Sequence, residues 1–215
     1  MSPQSRKISS ESKLRTLGVP INENLPLIES DEETTLRSVA DVHRRLVALW
    51  AVVGKALLGT ESRFATYIVE HQMESWLSDV ERKFILDEQP SKRDGIHFSW
   101  QLEALFFVAW CAGLIEADEV PTQESNVQSI LDLFPQDGED PDRLQAAIAI
   151  RSKSDILDHA DLLYRLHWAV RNARLTGSSG PSAVNGGVVQ EWHRAVNWMI
   201  RYNKEDDWDQ VGTDT

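Results

Sequence analysis

A stretch that is apolar on nearly every side limits the folds open to a chain more than any other feature. Residues 98–114, FSWQLEALFFVAWCAGL, are such a stretch. Wound at 3.6 residues per turn, its Phe, Leu, Val, Ala and Trp side chains surround the axis, so other elements must enclose it. Its longest uninterrupted apolar run, residues 104–115, falls short of the roughly 20 residues that cross a bilayer. The enclosing elements must therefore come from the chain itself, and no membrane partner is expected. Glu103 is the only charge between Phe98 and Ile115.

The rest of the chain supplies helices to do this. Residues 38–59, SVADVHRRLVALWAVVGKALLG, carry apolar side chains at helical spacing through Val42, Leu46, Leu49, Val53 and Leu57. Ser38 with Asp41 reads as the cap and Gly59 as the stop. A second helix is expected over 61–77, opened by Thr60. A short third has Ser78 and Glu81 at capping-box spacing. Residues 90–97 read as a loop, 125–134 as one short helix and 140–150 as another. Ser154 reads as the cap of a long helix, and VVQEWHRAVNWMIRY as the last. No alternating strand pairs, repeats or dividing linkers occur. The expectation is all-α: a single compact domain of seven or eight helices over residues 13–215. Residues 1–12 should be flexible, and residues 14–30, broken by Gly18, Pro20 and Pro26, should be extended.

The formal charge is −12. Phosphate binding needs a positive footprint, so nucleic acid is not an expected ligand. Such a charge permits a basic protein partner through electrostatic steering but does not demand one. Cys111 is the single cysteine, which leaves no disulfide framework and no cysteine zinc site within one chain. It reads as a buried small apolar residue. Residues 1–18 have no apolar core of the kind a secretory signal carries, so a cytoplasmic location is expected.

The long helix poses the functional question. In LLYRLHWAVRNARL, residues 162–175, the residues Asp158, Asp161, Arg165 and Asn172 of that helix share a stripe that can face water. His167, Arg171 and Arg174 fall in line inside apolar territory. A buried guanidinium needs a carboxylate or several carbonyls. Glu103 and Glu191 are the candidates, and a pairing of Arg171 or Arg174 with one of them is expected. The candidate polar cluster is thus Glu103, Tyr164, His167, Arg171, Arg174 and Glu191. It can be a staple that fixes helix register or the floor of a cleft for a polar or anionic ligand. His167 beside a carboxylate would also have the makings of a general base.

Catalytic signatures are missing. There is no HExxH, His-Asp pair, GxGxxG, GxxxxGK[ST], GxSxG or Glu-x-x-His. The six histidines are scattered. No metal, no cofactor and no catalytic residue is assigned. Trp208 stands in an acidic tail, EDDWDQV, as either an anchor for the tail or a partner contact.

The ordered segments LGVPINENLPLIES, TLRS, LYRLHWAVRNARL, VVQEWHRAVNWMI and DDWDQVGTDT resemble the bacterial domain-of-unknown-function family 4272 over nearly the whole chain. The resemblance implies no activity and no catalytic residues. It emphasises positions matching Pro20, Glu29, Arg37, Glu103, Tyr164, His167, Trp168, Arg171, Glu191, Asn197, Trp198 and Thr213 to Thr215. That closing Thr-Asp-Thr can cap a helix or fold over the cleft near His167.

Two functions follow. The first is a non-catalytic protein-interaction module, an immunity or antitoxin-like protein being one version. The second is a small-ligand binder or enzyme built on the polar cluster around His167 and Arg171. A homo-oligomer joined through the last helix is a third, plainer option. A filled interior with an exposed patch favours the first; a concave pocket with polar groups in it favours the second.

Overall fold

The computed structural model describes residues 1–135 and 139–215. Among the described residues there are eight α-helices, five short 3-10 turns and no strand. The helices are α1 (Pro3–Thr16), α2 (Val39–Leu58), α3 (Phe64–Glu70), α4 (Asp79–Leu86), α5 (Lys92–Cys111), α6 (Asp142–Ala147), α7 (Lys153–Thr176) and α8 (Gly186–Met199). No helix among the described residues is long and apolar enough to cross a membrane.

The all-round apolar helix α5 lies between α2 and α8, as its sequence requires. Beyond α8 comes α7, and beyond α7 comes α1. One core joins them, with Phe98, Phe107, Leu46, Leu49, Leu163 and Val196 all buried. The capping boxes at Ser38–Asp41 and Ser78–Glu81 form as expected. The helix α5 stops at a backbone position that only glycine fits. Gly113 has φ +71°, and a Cβ there would sit 2.3 Å from the carbonyl oxygen of Ala149.

Several expectations need correction. Residues 1–12 are not a flexible lead but most of α1. Ser2 caps that helix and Pro3 begins it. The helix has almost no apolar face, which is why its sequence reads as loose. Its docking is ionic instead. Arg6 is 1% exposed and donates to Asp158 at 2.7 Å, with Asp31 also 2.7 Å away.

The same helix overturns the water-facing stripe of α7. Asp161 and Arg165 are 0% and 2% exposed, joined by hydrogen bonds of 2.8 and 2.9 Å, with Glu11 of α1 at 3.7 Å from Arg165. Smaller differences concern boundaries. The long helix is capped by Ser152, not Ser154. Residues 91–97 belong to α5, opened by a Ser91–Asp94 capping box. The expected 61–77 helix breaks after Glu70, where Gln72 has φ +56°. Residues 125–134 form two 3-10 turns.

Candidate functional site

Residues 14–16 of the expected extended segment belong to the end of α1; the stretch from 26 to 30 is extended, and cations hold the connection between α1 and α2 by its backbone. Lys7 donates to the carbonyls of Glu23 and Leu25, and Lys153 to those of Asp31 and Thr34. Arg165 donates to Pro26 at 3.2 Å. At the far end Arg37, 7% exposed, donates to the carbonyls of Trp198 and Glu205 and to Asp206. These bonds lay residues 26–29 along α7 and α8.

The C-terminal tail returns to the same place and is fastened along its length, at Asp209, Trp208 and Gly212 among other points. Asp209 accepts from Ser78 Oγ at 2.7 Å and from the backbone of Val80 at 3.1 Å. Trp208 is 3% exposed, held between two guanidiniums, Arg45 at 4.6 Å and Arg194 at 4.5 Å from its ring centroid. The ring also meets Trp198 edge-on. Trp208 is therefore the tail's anchor and is not an exposed partner contact. Another fastening is the carbonyl of Gly212, which accepts from Asn197 Nδ2 at 2.9 Å. The tail's final residues cap no helix among the described residues. Asp214 and Thr215 line a cleft instead.

That cleft has a volume of about 310 Å³. Residues 26–29 and the tail form its walls. Tyr164 and Ala160 of α7, His193 and Asn197 of α8, and Ile200 and Tyr202 just beyond line the rest.

Behind it lies a chain of hydrogen bonds whose protons can be placed. The Gly212 carbonyl only accepts, so Asn197 presents its NH2 group. That group also reaches Nε2 of His193 at 3.3 Å. Nε2 must accept, so His193 carries its proton on Nδ1. His193 Nδ1 then donates to His167 Nδ1 at 2.9 Å, which leaves His167 protonated on Nε2. Both rings are neutral. Burial, then the charges of Arg171 and Arg174, pull His167 down to about 4. Burial, then His167, pulls His193 down to about 3.

The expected cluster divides in two. Tyr164 lines the cleft, His167 stands behind it, and Arg171 is exposed with Nη1 3.5 Å from the carbonyl and hydroxyl of Thr215. Arg174 is exposed on the same helix. Glu103 and Glu191 face away, toward α5 and the loop that follows it. Glu103, 2% exposed, accepts from the backbone and hydroxyl of Ser125 at 2.8 and 2.7 Å. The expected pairing of Arg171 or Arg174 with Glu103 or Glu191 does not form. The partner of Glu103 is a loop backbone, which sequence spacing cannot announce.

Burial raises both carboxyls, Ser125 opposing this at Glu103, and Arg194 opposing it and Glu103 reinforcing it at Glu191. Sequence reasoning passed over His193 as one of the scattered histidines. Its signal was the four-residue step to Asn197 on one face of α8.

His193 lines the cleft, but both of its nitrogens are engaged. Cys111 is fully buried and its thiol is pushed far above the ordinary range by that burial. Among the described residues no three His, Cys, Asp or Glu side chains gather as a metal site needs.

A family model fits this chain from residue 6 to residue 211. The chain belongs to the family described as Domain of unknown function, DUF4272. No curated protein and no solved structure matches it. The DUF4272 match runs from within α1 to the tail just beyond Trp208, so it takes in residues 26–29, α7 and α8 of the cleft wall but stops short of Asp214 and Thr215.

Proposed function

We propose that this protein binds a small ligand in the cleft between residues 26–29, α7, α8 and the C-terminal tail. One observation carries the reading. The concavity of about 310 Å³ is lined by polar groups that have no protein partner among the described residues: Glu29, Asp214, the Tyr164 hydroxyl and Asn197 Oδ1. Apolar side chains of Leu27, Ile28 and Ile200 complete the lining. Apolar walls with a few convergent polar groups are what a ligand pocket requires. The interaction-module reading, immunity-like or otherwise, keeps the charge of −12 as support. Its one named contact, Trp208, is 3% exposed and taken up inside the molecule.

Ligand-observed NMR against a fragment library of mixed charge tests the proposal. Wild-type protein should bind a subset of fragments. Leu27→Trp adds bulk at the cleft mouth, where Leu27 is 46% exposed, and should abolish that binding with the melting temperature unchanged. Failure of every fragment at about 10 mM, or equal binding to Leu27→Trp, overturns it.

A further inference from the structure

The charge around the cleft says what kind of ligand fits. Among the described residues that line it, Glu29 and Asp214 are charged and none is Lys or Arg. Among the described residues neither carboxylate has an ion-pair or hydrogen-bond partner. Carboxylates nearby in the fold are matched: Asp161 with Arg165, Asp206 with Arg37 and Arg201, Asp158 with Arg6. A concavity with low-dielectric walls concentrates such an uncompensated field. The guanidiniums on neighbouring elements are engaged elsewhere, Arg201 with Asp206 among them. Arg165 is committed to Asp161 and Pro26, and Arg171 lies outside against Thr215.

The neutral lining points the same way. Tyr164 and Tyr202 both line the cleft with aromatic side chains, and burial raises both phenols, opposed at Tyr164 by Arg165 and reinforced at Tyr202 by Asp214. Asn197 is only 5% exposed, and its Oδ1 accepts from no protein donor. Its NH2 group is fixed toward Gly212 and His193, so what it holds out to a ligand is an acceptor. An anion would meet two carboxylates and an amide oxygen. A cation would meet aromatic faces, counter-charges and an acceptor for its N–H groups.

Resting on the cleft being a ligand site, we infer that its ligand carries a small organic cation, seated between Tyr164 and Tyr202 with Glu29 and Asp214 as counter-charges and Asn197 Oδ1 as acceptor. A volume of about 310 Å³ is near the lower end for ligand pockets and suits a small amine or guanidine.

Calorimetric and NMR titrations of the full chain test this with choline and agmatine, the neutral carbon isostere of choline, and succinate. The expected result is binding of a cation, with the isostere and succinate weaker by about tenfold or more. Glu29→Gln combined with Asp214→Asn should cost cation binding a similar factor, and so should Tyr202→Leu. Melting temperatures should stay unchanged in the charge variant, because neither carboxylate is bonded to the protein. Equal binding of the isostere, or no effect of the charge variant, overturns the cation assignment. So does failure of both cations at about 10 mM. Neutral or anionic fragments found in the cleft in that case would leave the ligand-site reading standing.

Discussion

His167 and His193 share a hydrogen bond with one proton between their Nδ1 atoms, and burial holds both rings neutral. Their folded pKa values, about 4 and about 3, lie below the ordinary 6.5. The unfolded chain therefore takes up protons first as pH falls. Stability from the pair is complete above about pH 6.5 and declines below it, by about 1.4 kcal/mol per pH unit for each ring. Denaturant unfolding between about pH 6.5 and 5, above the range of ordinary carboxylates, should show this slope. His97 and His159 are lowered by burial as well and add slope of the same sign, so His167→Phe should reduce the slope without abolishing it. It should also cost about 1–3 kcal/mol, because the His193 Nδ1–H loses its acceptor in a buried place. A flat profile in the wild type would mean that one ring is protonated and the proton placement is wrong.

At the scale of elements, α1 and α7 are joined by charges placed to match. Arg6 meets Asp158, and Glu11 approaches the Asp161–Arg165 pair from the other side. Arg165→Leu leaves Asp161, 0% exposed, without its cation and should cost about 3–5 kcal/mol in equilibrium unfolding. A loss below about 1 kcal/mol would show that water reaches the stripe, as the sequence alone suggests. Gly113→Ala should destabilise by more than about 1 kcal/mol, since its Cβ would meet the Ala149 carbonyl at 2.3 Å.

The helices α2, α5, α7 and α8 were legible because apolar spacing and capping residues signal them locally. The buried all-round helix α5 in particular could have no other place. The helix α1 was not legible. Its stabilising partners lie about 150 residues away, at Ser154 and Asp158, and its own side chains show no apolar face. Asp161 and Arg165 share one stripe of α7 in the sequence, as they do in the structure. The burial of that stripe depended on the element that had been missed.

For the molecule as a whole, the tail closes the structure. Trp208 lies between Arg45 and Arg194, and the carbonyls of Trp208 and Gly212 accept from α8. Trp208→Ala should cost about 3–5 kcal/mol and free the tail from the cleft, read as lost hydrogen-exchange protection across residues 208–215. Retained protection would show that Asp209 and Gly212 suffice. The site was half legible. Tyr164, His167 and Arg171 were singled out from one helix, and they do gather at the cleft end of α7. Glu103 and Glu191 were assigned by the need of a buried guanidinium for a carboxylate. That need vanished because Arg171 and Arg174 are exposed. His193 and Asn197 on α8 and residues 26–29 come from two further segments, whose meeting is set by tertiary packing.

Whether the cleft holds a small ligand is decided by two-dimensional NMR of the labelled full chain, titrated with the fragments that bind it. Shifts should saturate together at Leu27, Tyr164, Asn197, Tyr202 and Asp214, with the side-chain NH2 of Asn197 among the largest. Shifts confined to other faces, with these residues unmoved, would contradict a ligand site in the cleft.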